Sequence, residues 1–473
     1  MRRLSVVVFA LALGACFGSG RPAPSPTPKG PGGSGLNILL LTIDTLRADH
    51  LGMYGYRRRT SPEMDSFARE GTVFDRAYTF WPKTRGSFVM IHTGRRPSQN
   101  GYTRRHPVLF GFSPTIADVL RQAGYATSAI VDNPNVAASD GYAKGFETYR
   151  ETWEEKELVT EMDRARAITE GGARFIRGAA RDRPFFLWLH YVNPHAPYTP
   201  PPPYDTLFLD AEARSGPPLP QVPRFHGGIP MQWAVKGEDR RGYYVAQYDG
   251  EIAAVDHEVG KVLEALRSSG AWGRTVVIVS SDHGESLGEH DYFFDHGEDL
   301  FDPCLAIPLI VVSPGAAKAR RSGILASTLD FFPTILDAAK VSYPADLAGR
   351  SLLPELAGSG TSGPTRLEAQ NDRGLSATFD RRFKTVATPE GGGWRYALYD
   401  RRQDPGETRD ATAALPDELR AGRRELELFL ERADREWART RPLLEGHPAG
   451  KGEMTAEACE KLRALGYVQQ CAR

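Results

Sequence analysis

The chain has 473 residues, of which 41% are hydrophobic and 25% are charged, a composition that fits a globular protein with a catalytic domain and a smaller second one. Its 59 basic and 59 acidic residues cancel to a net charge of zero. Because this balance offers nothing to attract a phosphate backbone, we expect no nucleic acid partner.

The N-terminus predicts export. Arg2 and Arg3 precede the apolar segment Leu4 to Leu13, which is too short to span a bilayer but has the length of a secretory h-region. Small residues then lead to Cys16 in an arrangement that resembles the lipobox of bacterial lipoproteins. Residues 1–16 are therefore predicted to be a lipoprotein signal peptide, and residues 17–35 a flexible Gly/Ser/Pro linker. An ordinary signal peptide with an incidental cysteine is the alternative.

This prediction locates the protein in the bacterial cell envelope, at the periplasmic face of the outer membrane or at the cell surface, with an N-terminal lipid anchor in the membrane. Export to an oxidising compartment also favours a disulfide between Cys459 and Cys471. Cys304 lies near an apolar strand and is expected to be buried.

Continuous apolar runs predict buried parallel strands. These runs are Leu36 to Ile43, Ala126 to Val131, Phe185 to Leu189, Thr275 to Val279 and Pro308 to Val312. Helical patterns lie between them, and the clearest one puts Tyr248, Ile252, Val255, Val259, Val262 and Leu266 on one face before Gly270. The alternation predicts an α/β fold, a mostly parallel sheet sandwiched by helices, over residues 36–356.

The pattern changes after about residue 356, where ELAGSGTSGPT has the composition of a linker. FKTVA and WRYALYD, separated by the turn PEGGG, predict an antiparallel hairpin. A helix is expected near Ala413 to Trp437. Residues 365–473 are thus predicted to form a smaller C-terminal α+β subdomain and tail.

Polar side chains follow three of the predicted strands. Asp44 comes after the first strand, Asp282 and His283 come just after the fourth, and His190 and His195 come after the third. Ligands of an open α/β sheet bind outside the carboxyl ends of its strands, so these side chains are expected at one edge. Although a lone Asp at a strand end is usually a cap or turn former, Asp44, Asp282 and His283 together suit a divalent cation.

The stretch from Phe80 to Gly94 sets Lys83, Thr84, Arg85 and Ser87 directly before an apolar run. A helix that begins near Arg85 would point its unpaired N–H groups at Thr84, which creates an anion site. A metal beside Thr84 would lower the pKa of its hydroxyl and make it a nucleophile. The alternatives are that Thr84 is only an N-cap, or that Ser87 is the nucleophile, although Ser87 should lie behind the helix end.

Several longer segments of the chain together have the pattern of a known family. They are NILLLTIDTLRADHLGMYGY, HTGRRP, FLWLHYVNPHAPY, YDGEIAAVDHEVGKVLEALRSSG, SSDHGESLGEHDYFFDHGEDLFD and LRALGYV. In this order they resemble the bacterial sulfatase family within the alkaline phosphatase superfamily. The resemblance implies an alkaline phosphatase/sulfatase-like fold and a hydrolase of sulfate or phosphate esters. It also implies one metal bound by Asp44, Asp282 and His283 beside Thr84, with His195 and His296 at the substrate and leaving group.

The chain departs from the family pattern at the nucleophile. The signature C-x-P-S-R or S-x-P-S-R, whose first residue becomes formylglycine, falls on Thr84 to Phe88, and threonine cannot be converted in that way. The family motif G-K-W-H falls on IVDNPNV, where Asp132, Asn133 and Asn135 stand instead. His283 stands where many sulfatases have asparagine, and an imidazole ligand moves the expected metal from calcium towards manganese or zinc.

These features predict a phosphoester hydrolase that cleaves phosphodiesters or phosphonates, with Thr84 as nucleophile and one divalent metal (Mn, Zn or Ca). Lys83, Arg85 and the helix N-terminus would stabilise charge on the non-bridging oxygens, and His195 or His296 would protonate the leaving oxygen. The expected substrate is an anionic ester of a glycan, a lipid or a small molecule. Sulfuric ester hydrolysis without formylglycine, a headgroup transferase and a catalytically dead binding lipoprotein are the alternatives.

Three further polar residues are interpreted as supporting ones. His290 and Asp295 either join the site or make contacts around it, and His190 is interpreted as a buried histidine with satisfied hydrogen bonds. The Asp and His spacing of two-metal relatives is not found on a matching segment, which favours one cation.

Overall fold

The computed structural model describes residues 35–103, 106, 112–179, 183–358, 363–445, 459 and 463. Cys16 with the predicted signal peptide, nearly all of the predicted linker, and Cys471 lie outside the described residues. The lipid anchor and the Cys459–Cys471 disulfide therefore stay predictions. In the described part of the chain, no helix has both the length and the apolar character needed to cross a bilayer.

The strands are numbered in chain order. They are β1 (Asn37–Ile43), β2 (Thr72–Tyr78), β3 (Ala126–Val131), β4 (Thr148–Glu151), β5 (Phe185–Tyr191), β6 (Gln221–Val222), β7 (Ile229–Pro230), β8 (Thr275–Ser281), β9 (Ser286–Leu287), β10 (Phe293–Asp295), β11 (Ala306–Ile307), β12 (Leu309–Val312), β13 (Arg320–Ser327), β14 (Leu367–Gln370), β15 (Ser376–Phe379), β16 (Phe383–Glu390) and β17 (Gly393–Asp400).

The α-helices are numbered in the same way. They are α1 (Pro62–Ala68), α2 (Thr84–Thr93), α3 (Pro97–Asn100), α4 (Ile116–Gln122), α5 (Glu161–Gly178), α6 (Arg241–Ser268), α7 (Asp302–Leu305), α8 (Phe331–Ala338), α9 (Leu353–Leu356) and α10 (Pro416–Glu445).

Within the described residues the main sheet has nine strands in the order β11-β2-β12-β8-β1-β5-β3-β4, with β13 beside β2. β1 lies at its centre and pairs in parallel with both β5 and β8. β3 is parallel to β4 and β5, and β13 is parallel to β2. The predicted fold class, a mostly parallel sheet in an α/β protein, is confirmed.

The prediction of a parallel strand at Pro308 to Val312 is wrong in direction. β12 covers most of this run but pairs antiparallel with both β8 and β2. An apolar run shows that a strand is buried on both faces, and burial does not depend on strand direction. In the connection from β8 to β12, the four-residue α7 is the only α-helix among residues 282–308, and a short 3₁₀ helix lies at Glu289–Asp291. A parallel return usually needs a longer helical crossover.

Helices cover both faces of the sheet, and alternate residues of β1 enter two separate cores. Ile38 and Leu40 pack with α2, α4 and α8 in one core, while Leu39 and Leu41 pack with α1, α5 and α6 in the other. Because side chains alternate across a strand, a strand covered on both faces is apolar at most positions. The buried polar residues of β1, Asn37 and Thr42, are hydrogen-bonded. The predicted helix face from Tyr248 to Leu266 is buried in α6, and Gly270 follows the helix with a positive φ of 75°.

The C-terminal subdomain has an antiparallel sheet in the order β14-β15-β16-β17, with α10 packed on it. The predicted hairpin is present as β16 and β17. The predicted helix near Ala413 to Trp437 is present as α10, which ends eight residues later than predicted, at Glu445. Gln370 donates its backbone N–H to the carbonyl of Phe80 at 3.0 Å, which ties this subdomain to the segment that leads into α2.

Candidate active site

Two acidic residues, Asp44 and Asp282, directly follow the neighbouring central strands β1 and β8. The register pairs Ile43 at the end of β1 with Ser281 at the end of β8, so Asp44 and Asp282 are the next residue of each strand. Ser281 joins the two strand ends, because its Oγ donates to the Ile43 carbonyl at 2.7 Å. His283 follows Asp282. Asp44, Asp282 and His283 are fully buried, and each offers a ligand atom within 4.8 Å of the others.

The N-terminus of α2 brings Thr84 to this cluster. Thr84 Oγ1 lies 3.1 Å from His283 Nε2. The interpretation of Thr84 as an N-cap is wrong, because Lys83 occupies the N-cap with an extended backbone and Thr84 is the first helical residue. Ser87 lies one turn further on and donates its hydroxyl to the Asp282 carbonyl at 2.8 Å. Ser87 therefore lies behind the helix end, as expected from the sequence.

The two carboxylates are buried close to each other, and this opposes their joint ionisation. Burial and the nearby charge of Asp44 raise the pKa of Asp282 well above its ordinary value. Burial opposes the ionisation of Asp44 as well, but the imidazoles of His190 and His195 hold the pKa of Asp44 below its ordinary value. Burial lowers the pKa of His283 to about 4. A buried site of this kind holds two anionic carboxylates only if a cation compensates them.

The cluster fits a divalent metal on its donor atoms. Asp44 Oδ1 and Asp282 Oδ2 are buried and accept no hydrogen bond from the residues described. Such oxygens cost free energy unless something else compensates them. Two carboxylate oxygens with one imidazole nitrogen are a donor set that suits manganese or zinc. Calcium prefers oxygen donors only and therefore fits this set less well.

Two further histidines stand beside the cluster. The ring centroid of His296 lies 4.2 Å from that of His283 and 5.1 Å from that of His195. His195 Nδ1 contacts the Ala196 carbonyl at 2.6 Å, and His296 Nδ1 contacts Glu285 Oε1 at 2.9 Å. Glu285 was not predicted, although it stands two residues after His283 in a segment already marked by its polar residues. The His296 ring therefore lies beside His283, which contacts Thr84, and the His195 ring packs against that of His296.

Lys83 lies at the same edge. Its side chain packs against Gly297, where a Cβ would approach Lys83 Cδ to 3.2 Å. Burial lowers the pKa of His296 well below its ordinary value, and the positive charges of His283, His195 and Lys83 act in the same direction. A cation therefore stands close to the histidines at the edge of the site.

The match to known proteins decides the family. The profile of the family described as Sulfatase matches residues 36–341. The chain belongs to the sulfatase family.

Two relatives illustrate the likeness in sequence. This sulfatase-family chain is 25% identical over 399 residues to an N-acetylglucosamine-6-O-sulfatase of Bacteroides thetaiotaomicron, covering 68% of the chain and 71% of that protein. It is 26% identical over 385 residues to an arylsulfatase of Clostridium perfringens, covering 67% of the chain and 77% of that protein. The predicted family and the prediction of an ester hydrolase are confirmed.

A solved structure illustrates the likeness in fold. The phosphonate monoester hydrolase of Agrobacterium radiobacter superposes with a TM-score of 0.71 at 20% sequence identity, covering 84% of this chain and 96% of that chain. The sulfatase fold therefore extends over most of the described chain.

The proline and arginine of the family signature are replaced by Gly86 and Phe88. A Cβ at Gly86 would lie 2.3 Å from Trp81 Cδ1, so the first turn of α2 packs directly on the indole ring. The Arg85 guanidinium, considered as the substitute for the missing arginine, forms an ion pair with Asp140 at 3.0 Å. Arg85 is thus held at the side of α2 by Asp140, and its predicted contact with substrate stays a prediction.

The segment that replaces the family's lysine and histidine has its own contacts. Asn133 Nδ2 donates to Asp44 Oδ2 at 2.5 Å, so an amide stands directly on one oxygen of the cluster. Asp132 forms an ion pair with Arg164 at 2.9 Å. Asn135 donates its backbone N–H to Asn133 Oδ1 at 2.9 Å, which orients the Asn133 amide. Asn133 is the residue of this segment that reaches the cluster.

Three residues interpreted as supporting ones lie around the site. His190 is fully buried, contacts Thr42 Oγ1 through Nδ1 at 3.1 Å, and lies 3.7 Å from Asp44 through Nε2. Asp295 lies 4.0 Å from His296 Nδ1. His290 stacks on Phe301 with ring centroids 3.6 Å apart. His190 and Asp295 therefore touch members of the site, while His290 packs on an aromatic ring.

Proposed function

We propose that this sulfatase-family hydrolase cleaves phosphoesters, either phosphodiesters or phosphonate monoesters, with Thr84 as its nucleophile. The observation that carries the proposal is the position of Thr84 Oγ1, at the start of α2 and 3.1 Å from His283 Nε2. Threonine cannot form formylglycine, so its hydroxyl has to attack the ester directly. Attack by an alcohol is well suited to phosphorus, and the site still accepts sulfate esters as poorer substrates.

One divalent cation is part of the proposal, with manganese or zinc preferred over calcium. Asp44, Asp282 and His283 would hold it, with Thr84 as a further oxygen ligand. When bound, it would lower the pKa of the Thr84 hydroxyl and neutralise charge on the phosphoryl group.

The reaction has two steps in which the chain's own residues carry the atoms. Thr84 Oγ, deprotonated before the attack, forms a bond to phosphorus as the bond from phosphorus to the leaving oxygen breaks, and His296 or His195 gives that oxygen a proton. Water then attacks phosphorus and gives a proton back to the same histidine, while the bond from phosphorus to Thr84 Oγ breaks and releases the threonine oxygen. Lys83 and the first N–H groups of α2 stabilise negative charge on the non-bridging oxygens. Arg85 contributes in the same way if its guanidinium leaves the ion pair with Asp140 and contacts the substrate.

We test the proposal with matched nitrophenyl esters of a phosphate monoester, a phosphodiester, a phosphonate and a sulfate, each with manganese, zinc or calcium. The phosphodiester or the phosphonate should have the highest kcat/KM. Thr84→Ala should lower it by at least about 10³-fold, whereas the matched control Ser87→Ala should retain most of it. After an acid quench, mass spectrometry should find the substrate's phosphoryl group on the peptide that contains Thr84.

The other outcomes separate the alternatives. Full activity in Thr84→Ala would reject the nucleophile. A preference for the sulfate would favour sulfuric ester hydrolysis without formylglycine, and activity only with a second alcohol present would favour a transferase. Binding of anionic esters without turnover would favour the binding protein.

We also propose that the enzyme is a lipoprotein of the cell envelope that meets its ester substrate, from a glycan, a lipid or a small molecule, outside the cytoplasm. The sequence around Cys16 supports this. Incorporation of a palmitate analogue that is lost in Cys16→Ala is the expected result, and labelling that persists in the variant would reject the anchor.

A further inference from the structure

The two oxygens of the Asp44 carboxylate have different surroundings. Oδ1 lies 3.7 Å from His283 Nε2 and accepts no hydrogen bond from the residues described. Asp282 Oδ2, which also accepts none from them, lies 3.3 Å from the same nitrogen. Oδ2 of Asp44 instead accepts a hydrogen bond from Asn133 Nδ2 at 2.5 Å. One oxygen of Asp44 therefore faces the other ligand atoms of the cluster, while an amide holds the second oxygen.

The amide of Asn133 has a defined orientation. Its Oδ1 accepts the backbone N–H of Asn135 at 2.9 Å, and this contact identifies the other end of the amide as the NH₂ group that donates to Asp44. Pro134 follows and restricts Asn133 to an extended backbone, with φ −153° and ψ 118°. Asn133 is also fully buried. The amide thus has little freedom to turn away from Asp44.

The segment that carries Asn133 is attached to the sheet on both sides. Asp132 follows β3 directly, and its N–H donates to the His190 carbonyl at 3.1 Å, which extends the pairing of β3 with β5. The Asp132 carboxylate pairs with the buried Arg164 of α5, so its charge is compensated away from the cluster. Asn133 then meets Asp44 as a neutral donor. Such a donor orients a carboxylate without cancelling the negative charge that attracts a cation.

We propose that Asn133 is a positioning residue of the metal site, which holds Asp44 Oδ2 so that Oδ1 is the oxygen presented to the cation. The inference rests on the metal site of the proposed function and deepens it. Without the amide, the Asp44 carboxylate is free to rotate towards His190, whose Nε2 lies 3.7 Å from Oδ2. This rotation withdraws Oδ1 from Asp282 and His283, so the affinity for the cation falls.

The test measures the Kd for manganese of the purified full chain after a chelator has removed bound metal, with free Mn²⁺ followed by electron paramagnetic resonance. Asn133→Ala removes both hydrogen bonds of the amide. Asn133→Ser removes the bond to Asp44 but keeps an oxygen that accepts the Asn135 N–H, because serine is about as good a cap as asparagine. Both variants should raise the Kd by about 10- to 100-fold. The metal-free Asn133→Ser chain should unfold at the temperature of the wild type, which separates lost affinity from a lost turn.

Asn37→Ala is the matched control. Asn37 is a buried asparagine at the end of β1 opposite to Asp44, and both ends of its amide are bonded in the same way. Its Nδ2 donates to Thr275 Oγ1 at 3.2 Å, and its Oδ1 accepts the backbone N–H of Phe185 at 3.2 Å. Asn37→Ala should therefore lower the melting temperature but keep the wild-type Kd for manganese.

A second measurement separates positioning from a structural role. With a nitrophenyl phosphodiester as substrate, the manganese concentration that gives half-maximal turnover should rise in Asn133→Ser by the same factor as the Kd. Excess manganese should then restore turnover, whereas it would not repair a damaged fold. The Kd remains a complete test by itself, because it needs no substrate.

The inference is overturned if Asn133→Ser and Asn133→Ala bind manganese as tightly as the wild type, or if Asn37→Ala weakens binding equally. It is also overturned if excess manganese fails to restore turnover in Asn133→Ser. Failure of the proposed metal site has a different signature, since the wild type would then bind neither manganese nor zinc, or Asp44→Ala would retain the wild-type affinity.

Discussion

Replacing Lys384 with methionine is expected to destabilise the protein strongly. Lys384 Nζ is fully buried between two carboxylates, 2.6 Å from Asp302 Oδ1 and 2.7 Å from Glu407 Oε1, and it also donates to the Leu300 carbonyl at 3.0 Å. Breaking a buried pair from one side leaves a charge without a partner, which costs about 3–5 kcal/mol. That loss is a large part of a typical free energy of unfolding of about 5–15 kcal/mol.

The cost should depend on pH in a defined direction. Burial and the charge of Asp302 raise the pKa of Glu407 to about 7. Loss of Lys384 removes a cation that opposes this rise, so Glu407 binds its proton more tightly in the folded variant than in the wild type. A raised folded pKa contributes stability that is present at low pH and is lost as pH rises through that pKa. Lys384→Met should therefore cost more at pH 8 than at pH 6.

The free energy of unfolding is measured by urea titration at both pH values. Lys261→Met is the matched control, because Lys261 pairs with Glu258 at 2.7 Å but its side chain is 48% exposed. That variant should lose less than about 1 kcal/mol. Adding Glu407→Gln to Lys384→Met should recover part of the loss by removing one charge. A loss below about 1 kcal/mol at pH 8, or no recovery in the double variant, would refute the reasoning.

Three further predictions concern the core and the cluster. Gly86→Ala sets a Cβ against Trp81 Cδ1, 2.3 Å away, so thermal unfolding should report a loss of about 1–3 kcal/mol together with lower activity, and an unchanged melting temperature would contradict the packing. Burial lowers the pKa of His92 to about 3, so the wild type loses stability as pH falls from about 6.5 towards 3. Between pH 7 and pH 5, the difference in free energy of unfolding between His92→Leu and the wild type should therefore shift by about 2 kcal/mol in favour of the variant. If urea titrations show the same loss of stability in both proteins over this range, buried His92 is not the cause of the acid sensitivity. Manganese at about 100 times its Kd should add about 2.7 kcal/mol to the wild type and nothing to Asp282→Ala, whereas equal stabilisation of both would place the ion elsewhere.

Much of the fold could be predicted from local sequence pattern. The apolar runs of β1, β3, β5 and β8 are buried on both faces, and such burial favours apolar residues at most positions. The position of the polar residues after these strands follows from the same pattern, because parallel strands end at one edge. The start of α2 near Thr84 was visible as hydroxyl and glycine residues ahead of an apolar run. These features depend on neighbours in the chain.

The contacts within the site could not be predicted in this way. Asn133 reaches Asp44 across 89 positions, Arg85 pairs with Asp140, and Tyr198 reaches Glu285 across 87 positions. A residue's type shows which hydrogen bonds or ion pairs its side chain can form. Many residues of the chain could be the partner, and the sequence does not show which of them is. The choice among them depends on which loops the sheet brings to its edge.

Sequence pattern alone was enough to predict the α/β class, the family and the residue types at the strand ends, because periodicity and motif spacing are local properties of the chain. The folded molecule was needed to show that β12 runs antiparallel, that Lys83 rather than Thr84 occupies the N-cap position of α2, and that Glu285 contacts His296. Strand direction and side-chain pairing are set by where distant segments meet in the packed molecule. Buried polar groups must find partners there, and the sequence does not record that geometry.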